Sequence, residues 1–260
     1  MPMRTNLHRL HVESSAKAPL KSGSKGGRRW PQQSWRPSLN ALLLWAHCMG
    51  LICAVFTFAW VIRFRGGLPF IAHGAILADR SDLIFNVHPV LMVVGYIILV
   101  SEAILVFRGV SGTKSYKKAI HLTIQAVGFW MAVFGIWAAL LFHNAKGIDN
   151  FYSLHSWLGI VTVSLFGLQW IFSYAIYWYP GASGKTRAAV LPWHAFIGLI
   201  IYCMALITAE TGFLEKLTFL TVNGVIGKFS LEAMFVNSIG LLLILYGGLV
   251  ILAAVLPRAS

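Results

Sequence analysis

In the stretch Asn150-Phe151-Tyr152-Ser153-Leu154-His155-Ser156-Trp157, a histidine lies one turn inside the start of a long apolar run, Phe151 to Trp178. An imidazole at that depth in a bilayer is costly and calls for a partner. Three other runs repeat the pattern. His88 lies near the start of Leu83–Phe107, His121 near that of Ala119–Phe142, and His194 near that of Val190–Thr211. Four consecutive apolar runs thus carry one histidine each near the N-terminal end.

The 260 residues are 58% hydrophobic and 11% charged, whereas soluble domains are about 45–50% apolar and about 25% charged. Six stretches supply the roughly 20 apolar residues that a helix needs to span a bilayer. They are Leu39–Ile62, Leu83–Phe107, Ala119–Phe142, Phe151–Trp178, Val190–Thr211 and Leu231–Leu256. None alternates apolar and polar residues as barrel strands do. The expected fold is therefore all-α: an integral, multi-pass domain of six transmembrane helices over residues 39–257, its central four forming a bundle. Residues 1–38 form a basic tail rich in Ser, Gly and Pro, which composition marks as disordered.

The net charge of +13 is uneven, with eight of the 21 Lys and Arg ahead of the first apolar run. No soluble basic domain exists to hold nucleic acid, so lipid is the expected partner of this charge. Lys25, Arg28, Arg29 and Arg36 precede the first run and only Arg63 and Arg65 follow it closely, which puts the N-terminus in the cytoplasm. The later short loops carry six basic residues on each side and add nothing. The tail reads as cytoplasmic in preference to an organelle transit peptide. Cys48, Cys53 and Cys203 all lie within apolar runs, so neither a disulfide framework nor a zinc site is expected.

Alternation of the helices then sorts the histidines by depth. His88 and His155 share one face of the membrane, the outer one in this orientation, while His121 and His194 share the other. Zinc would gather four ligands at one place. A proton relay would string carboxylates between the histidines, and the middles of these runs have none. Haem takes two axial ligands on opposite faces of a flat ring. Two pairs at two depths therefore predict two haems, roughly 20 Å apart along the membrane normal. Glycines follow each histidine by four or seven residues: Gly95, Gly128, Gly159 and Gly198. Those spacings share a helix face, so all four are expected to leave room for a porphyrin edge.

Several stretches resemble the cytochrome b-561 family in its plant-type form, the ascorbate-dependent transmembrane ferrireductases. They are Asn86-Val87-His88-Pro89-Val90-Leu91-Met92, Lys117-Lys118-Ala119-Ile120-His121, Phe151 to Trp157, Leu191-Pro192-Trp193-His194, and Ala209 to Lys216. The resemblance covers about residues 40–257. It implies two haem b per chain, with iron held axially by His88 with His155 and by His121 with His194, and a homodimer. It also implies electron transfer from cytoplasmic ascorbate to monodehydroascorbate or a ferric chelate on the other side. Plasma membrane and an endomembrane such as the vacuole are both compatible. One departure is Phe107, which stands where a tyrosine is usual.

Ascorbate is an anion, and its site calls for fixed positive charge beside a haem edge. Lys114, Lys117 and Lys118 precede His121, and Arg187 precedes His194. The resemblance favours Lys114, Lys118 and Arg187 among them, with Lys118 assigned a catalytic role. On the outer side, Phe142 and His143 resemble the family's acceptor site, with His143 able to bind a chelate or move a proton. Tyr177 and Tyr179 read as interfacial aromatics. His47 reads as hydrogen-bonded packing. Glu102 and Glu210 read as intramembrane or near-interface acids, with two roles open: pairing with Arg108 and a polar loop group, or handling protons. Two other functions fit the same histidines: a haem-bearing electron-transfer subunit served by a protein partner, and a histidine-based proton or solute transporter.

Overall fold

The computed structural model describes residues 38–69 and 81–257; the basic tail and His73 lie outside the described residues. Six helices among them are long and apolar enough to cross a membrane. These are α1 (Leu39–Phe64), α2 (Ser81–Gly109), α3 (Lys114–Lys146), α4 (Leu154–Tyr177), α5 (Gly184–Val222) and α6 (Leu231–Val255). Five begin at a hydroxyl side chain. Ser38, Thr113, Ser153, Ser183 and Ser230 each accept a hydrogen bond from the backbone N–H three residues on. Such a cap satisfies one of the donors a helix start leaves open, worth about 1 kcal/mol. At its other end α3 stops on Gly147 at φ 66°, whose N–H bonds the carbonyl of His143, a left-handed position that glycine takes without steric cost.

Consecutive helices pair as hairpins, α2 with α3 and α4 with α5, and α1 packs along α6. Trp60, Val93, Ile97, Tyr202, Ile239, Leu243 and Tyr246 are all at most 1% exposed and form the apolar centre where these elements meet. Large apolar side chains also cover the outside: Trp45, Phe134, Leu168, Trp193 and Leu241 are each more than half exposed. In water such a surface would aggregate; against lipid tails it is the expected one.

Two helices depart from the apolar runs of the sequence. Pro89 lies inside α2 and cannot donate to the carbonyl one turn back. Past it the chain widens into a π-helical stretch from Leu91 to Leu99 before returning to α-helix. The fifth helix is 39 residues long, roughly 58 Å at 1.5 Å per residue. It continues a further eleven residues past Thr211, where the apolar run was expected to end. Glu210, Glu215 and Lys216 interrupt the apolarity there but have no need to interrupt the backbone hydrogen bonding.

Polar contacts tie the ends together. Trp60 Nε1 donates to Glu232 Oε1 over 2.9 Å, and Arg65 pairs with the other carboxylate oxygen, joining α1 to α6. Asn86 Nδ2 donates to the carbonyls of Arg65 and Gly67, each over 2.8 Å. Of the two roles open to Glu102, pairing with Arg108 is absent among the ion pairs of the described residues. The Arg108 guanidinium reaches the carbonyls of Ala253 and Leu256 at the C-terminus of α6, where cation and helix dipole attract. Glu102 instead bonds His47 Nδ1 over 3.0 Å.

Candidate functional sites

The imidazoles of His88 and His155 face one another with ring centroids 6.0 Å apart and planes at 87°. Those of His121 and His194 are 6.1 Å apart at 72°. The first pair joins α2 to α4 and the second joins α3 to α5, so each site bridges the two hairpins. Two imidazoles bound through nitrogen to opposite sides of one metal ion, each about 2 Å from it, would set their centroids roughly 6 Å apart. The observed spacing is that of a bis-imidazole site. Among the described residues no cluster of three or more metal-binding side chains occurs, which separates these pairs from a chelating metal centre.

Hydrogen bonds fix the ring orientation. His88 Nδ1 bonds the carbonyl of Gly135 over 3.0 Å, and His121 Nδ1 that of Ala103 over 2.7 Å. His155 Nδ1 bonds the carbonyl of Thr208 over 2.9 Å, and His194 Nδ1 the hydroxyl of Ser173 over 2.9 Å. A carbonyl can only accept, so the proton of His88, His121 and His155 sits on Nδ1 and Nε2 keeps its lone pair for a metal. The bonds are reciprocal: α2 holds the histidine of α3 and α3 that of α2, and α4 and α5 do the same. His88 and Ala103, fifteen residues apart on α2, mark the two site levels. That puts them roughly 20 Å apart.

A cavity surrounds each pair. The first, about 490 Å³, contains His88 and His155 in its wall along with Phe85, Phe142, His143 and Lys216. The second, about 1030 Å³, contains His121 and His194 together with Lys114, Lys118, Tyr177 and Arg187. Tyr96 and Ala205 belong to both walls. Tyr96 is 5% exposed, stacks edge-on against Phe166 at 5.2 Å and donates to the carbonyl of Thr162. It stands where the two cavities approach each other.

Of the glycines, Gly159 and Gly198 line the first and second cavity respectively, whereas Gly95 and Gly128 line neither. A Cβ on Gly95 would lie 2.5 Å from Met131 Cβ, and one on Gly128 would lie 3.1 Å from the Gly95 carbonyl oxygen. These two let α2 and α3 approach. For Gly95 the π-helical winding from Leu91 is the reason: seven residues do not make two α-helical turns there. A glycine that spacing along one helix could not reveal is Gly212 on α5. A Cβ there would lie 2.6 Å from His155 Cε1, so only glycine leaves that ring its place.

The charged residues divide between the sites. Lys114, Lys118 and Arg187 line the second cavity and Lys117 does not. Lys118 Nζ donates to the Tyr177 carbonyl over 2.8 Å, at the last turn of α4, and lies 5.9 Å from the Trp178 ring centre. Tyr177 therefore belongs to the cavity wall, and its hydroxyl reaches the Arg187 carbonyl over 3.4 Å; Tyr179 is 71% exposed. Phe107 lies in the second cavity with its ring 5.6 Å from that of His121. At the first cavity, Tyr152 and Ser153 donate to the two oxygens of Glu215 over 3.5 and 2.9 Å. Partial burial and then the Glu215 carboxylate raise the Tyr152 phenol above its ordinary value, keeping it a donor.

Residues 87–220, which include all four histidines, match the family described as eukaryotic cytochrome b561. The chain is 51% identical over 209 residues to transmembrane ascorbate ferrireductase 2 of Arabidopsis thaliana, an alignment spanning 80% of this chain and 88% of that one. It is 48% identical to probable ascorbate-specific transmembrane electron transporter 2 of Oryza sativa subsp. japonica, over 82% of this chain and 87% of that one. An animal protein, the plasma membrane ascorbate-dependent reductase CYBRD1 of Xenopus laevis, is 37% identical over 85% of this chain and 76% of its own.

Proposed function

This chain belongs to the eukaryotic cytochrome b561 family, and from that premise we propose that it is a transmembrane oxidoreductase that takes electrons from ascorbate and delivers them across the membrane. A cytochrome b561 carries haem b. In this reading two haems bind per chain, one between His88 and His155 and one between His121 and His194. The observation that carries it is the fourfold one: each imidazole has its Nδ1 engaged and faces a second imidazole at 6.0 or 6.1 Å. Haem supplies one-electron chemistry; the protein supplies position and electrostatics.

The two histidine pairs would hold the haems, and the work of the chain would be electron transfer. Nδ1 bonds, three to backbone carbonyls and that of His194 to the Ser173 hydroxyl, fix the orientation of the four rings and raise the basicity of those that donate. The wall shared through Tyr96 and Ala205 brings the two sites close without joining them. Lys114, Lys118 and Arg187 give the second cavity the positive field an ascorbate anion needs, with Lys118 held in its wall by the Tyr177 carbonyl. Positive charge ahead of α1 supports the assignment of this end to the cytoplasm. Phe142 and His143 line the first cavity, where monodehydroascorbate or a ferric chelate is the acceptor. The working form is a homodimer in plasma membrane or endomembrane, a reading that family membership supports.

Proteoliposomes test this. Purified protein should carry two haems per chain and be fully reduced by ascorbate. With ascorbate trapped inside and ferricyanide outside, turnover should follow the fraction of molecules whose N-terminal tail faces the lumen, as scored by protease protection. A colourless preparation from haem-replete cells would favour a transporter. A haem-loaded protein that ascorbate fails to reduce would favour a subunit fed by a protein partner.

A further inference from the structure

Lys216 lies on the part of α5 beyond the apolar run and lines the first cavity. Its ammonium stands 4.1 Å from the ring centre of Phe85, 5.7 Å from that of Phe142 and 5.9 Å from that of Phe219. Three rings from three helices, α2, α3 and α5, surround one cation, and ring faces attract a cation without neutralising it. Two other cations of this end are matched by carboxylates. Arg65 pairs with Glu232, and Lys146 with Asp82 over 3.2 Å. Glu215 also lines the cavity, but its oxygens accept from Tyr152 and Ser153. Among the described residues no carboxylate lies within ion-pair distance of Lys216. Beside it, His143 Nδ1 is buried with no hydrogen-bond partner, and Phe142 stacks near both His143 and Phe85, at 6.0 and 4.7 Å.

We propose that Lys216 determines the charge of the acceptor at the first cavity: held by Phe85, Phe142 and Phe219, with no carboxylate in ion-pair reach, it selects a small oxygen-rich anion in the cavity that His143 also lines. The proposal rests on the reading of this cavity as the acceptor side. Two occupants share the required chemistry, a carboxylate-bearing ferric chelate and an enediolate radical anion. Each would gain one electron and keep its ligands: iron(III) becomes iron(II), or the radical becomes the closed-shell anion with uptake of one proton. The rings hold the ammonium in place before the anion arrives, so little ordering cost attends binding. A cation would meet the repulsion of the ammonium.

The test uses the full-length holoprotein in proteoliposomes with ascorbate inside. Three acceptors are offered outside: ferric citrate, monodehydroascorbate generated in place, and the cation hexaammineruthenium(III). Lys216→Met keeps the apolar stem and removes the charge; Lys216→Arg keeps the charge. The expected result is an about tenfold rise in KM for the anions in Lys216→Met, as loss of one charge-assisted contact implies. The ruthenium complex should be unaffected or improved, and Lys216→Arg should resemble wild type. Isothermal titration of redox-inert gallium(III) citrate should show the same loss of binding. In the wild type, added salt should raise KM for the anions only. A change confined to one anion names that anion as the occupant. Equal effects on all three acceptors, or none on any, would overturn the proposal. Wild-type protein that delivers electrons from ascorbate to no acceptor would instead overturn the parent reading.

Discussion

The cavity around His121 and His194 measures about 1030 Å³ and the one around His88 and His155 about 490 Å³, although the ring separations, 6.1 and 6.0 Å, are nearly the same. What differs is the surrounding wall. The larger cavity has four cations in its wall, Arg108, Lys114, Lys118 and Arg187, and no carboxylate. The smaller one has one cation, Lys216, set among the rings of Phe85, Phe142 and Phe219, and one carboxylate, Glu215. The same pairing of imidazoles is thus placed in two settings. Several cations around a roomy cavity suit capture of a well-hydrated anion. One cation among aromatic rings suits discrimination between acceptors by charge and size. The equivalence of the histidine pairs and the inequality of their surroundings can be tested separately.

The largest effect is expected at the ligands. His88→Ala and His155→Ala should each remove the same haem, and His121→Ala and His194→Ala the other, each lowering haem content from about two per chain to about one. Reduced-minus-oxidised spectra of the single variants check this. If His88→Ala and His121→Ala removed the same spectral component, the bridging of hairpins by each site would be wrong.

Next come the glycines that support the sites, where the comparison sharpens. Gly212→Ala drives a Cβ to 2.6 Å from the His155 ring, which its bond to Thr208 holds fast. Gly198→Ala meets only the end of the Gln169 side chain, at 2.9 Å, and that amide can turn aside. Gly212→Ala should therefore deplete the first-site haem, with overpacking costing about 1–3 kcal/mol, while Gly198→Ala should bind nearly normal amounts of haem. Similar depletion in both would mean that the two sites are equally tight.

A smaller effect is expected from charge. Lys114→Ala with Lys118→Ala should raise the ascorbate concentration for half-maximal reduction roughly three- to tenfold, with dithionite reduction and haem content unchanged. Rising salt should produce the same shift in the wild type. Reduction at the wild-type rate across the ascorbate range would assign these lysines to lipid and topology alone. Smallest is Ser173→Ala, which removes the one side-chain group among the four Nδ1 partners. A less basic His194 should raise the second-site midpoint potential by the order of tens of millivolts, leaving the first site in place. Equilibrium redox titration resolves the two.

How much of this was readable in the chain varies with what the residue's neighbours are. Six helices follow from six apolar runs, because a bilayer demands length and apolarity in one continuous segment. The histidine pairs follow from depth, because depth is counted along the chain. Gly212 and Lys216 were invisible as site residues for the opposite reason. Gly212 matters because of His155 on another helix, and Lys216 because of Phe85 and Phe142 on two others. No spacing rule within one helix records those neighbours. Their segment also fell outside the apolar run that marks α5. Gly95 failed in a different way. Its spacing from His88 was read with α-helical turns, whereas the chain past Pro89 winds as a π-helix. The resemblance of Ala209 to Lys216 to the family's motif was the one sequence signal over the segment that holds both missed residues.

The reciprocal bonding of the hairpins bears on how the molecule is made. Neither hairpin contains both ligands of either site. In order of synthesis His88 and His121 come first, on α2 and α3, each of which holds the other's histidine in the finished fold. The first site gains its second imidazole when α4 brings His155. The second waits for α5 and His194. Synthesis order thereby becomes an order of maturation, in which cofactor closes a seam between two prefabricated halves.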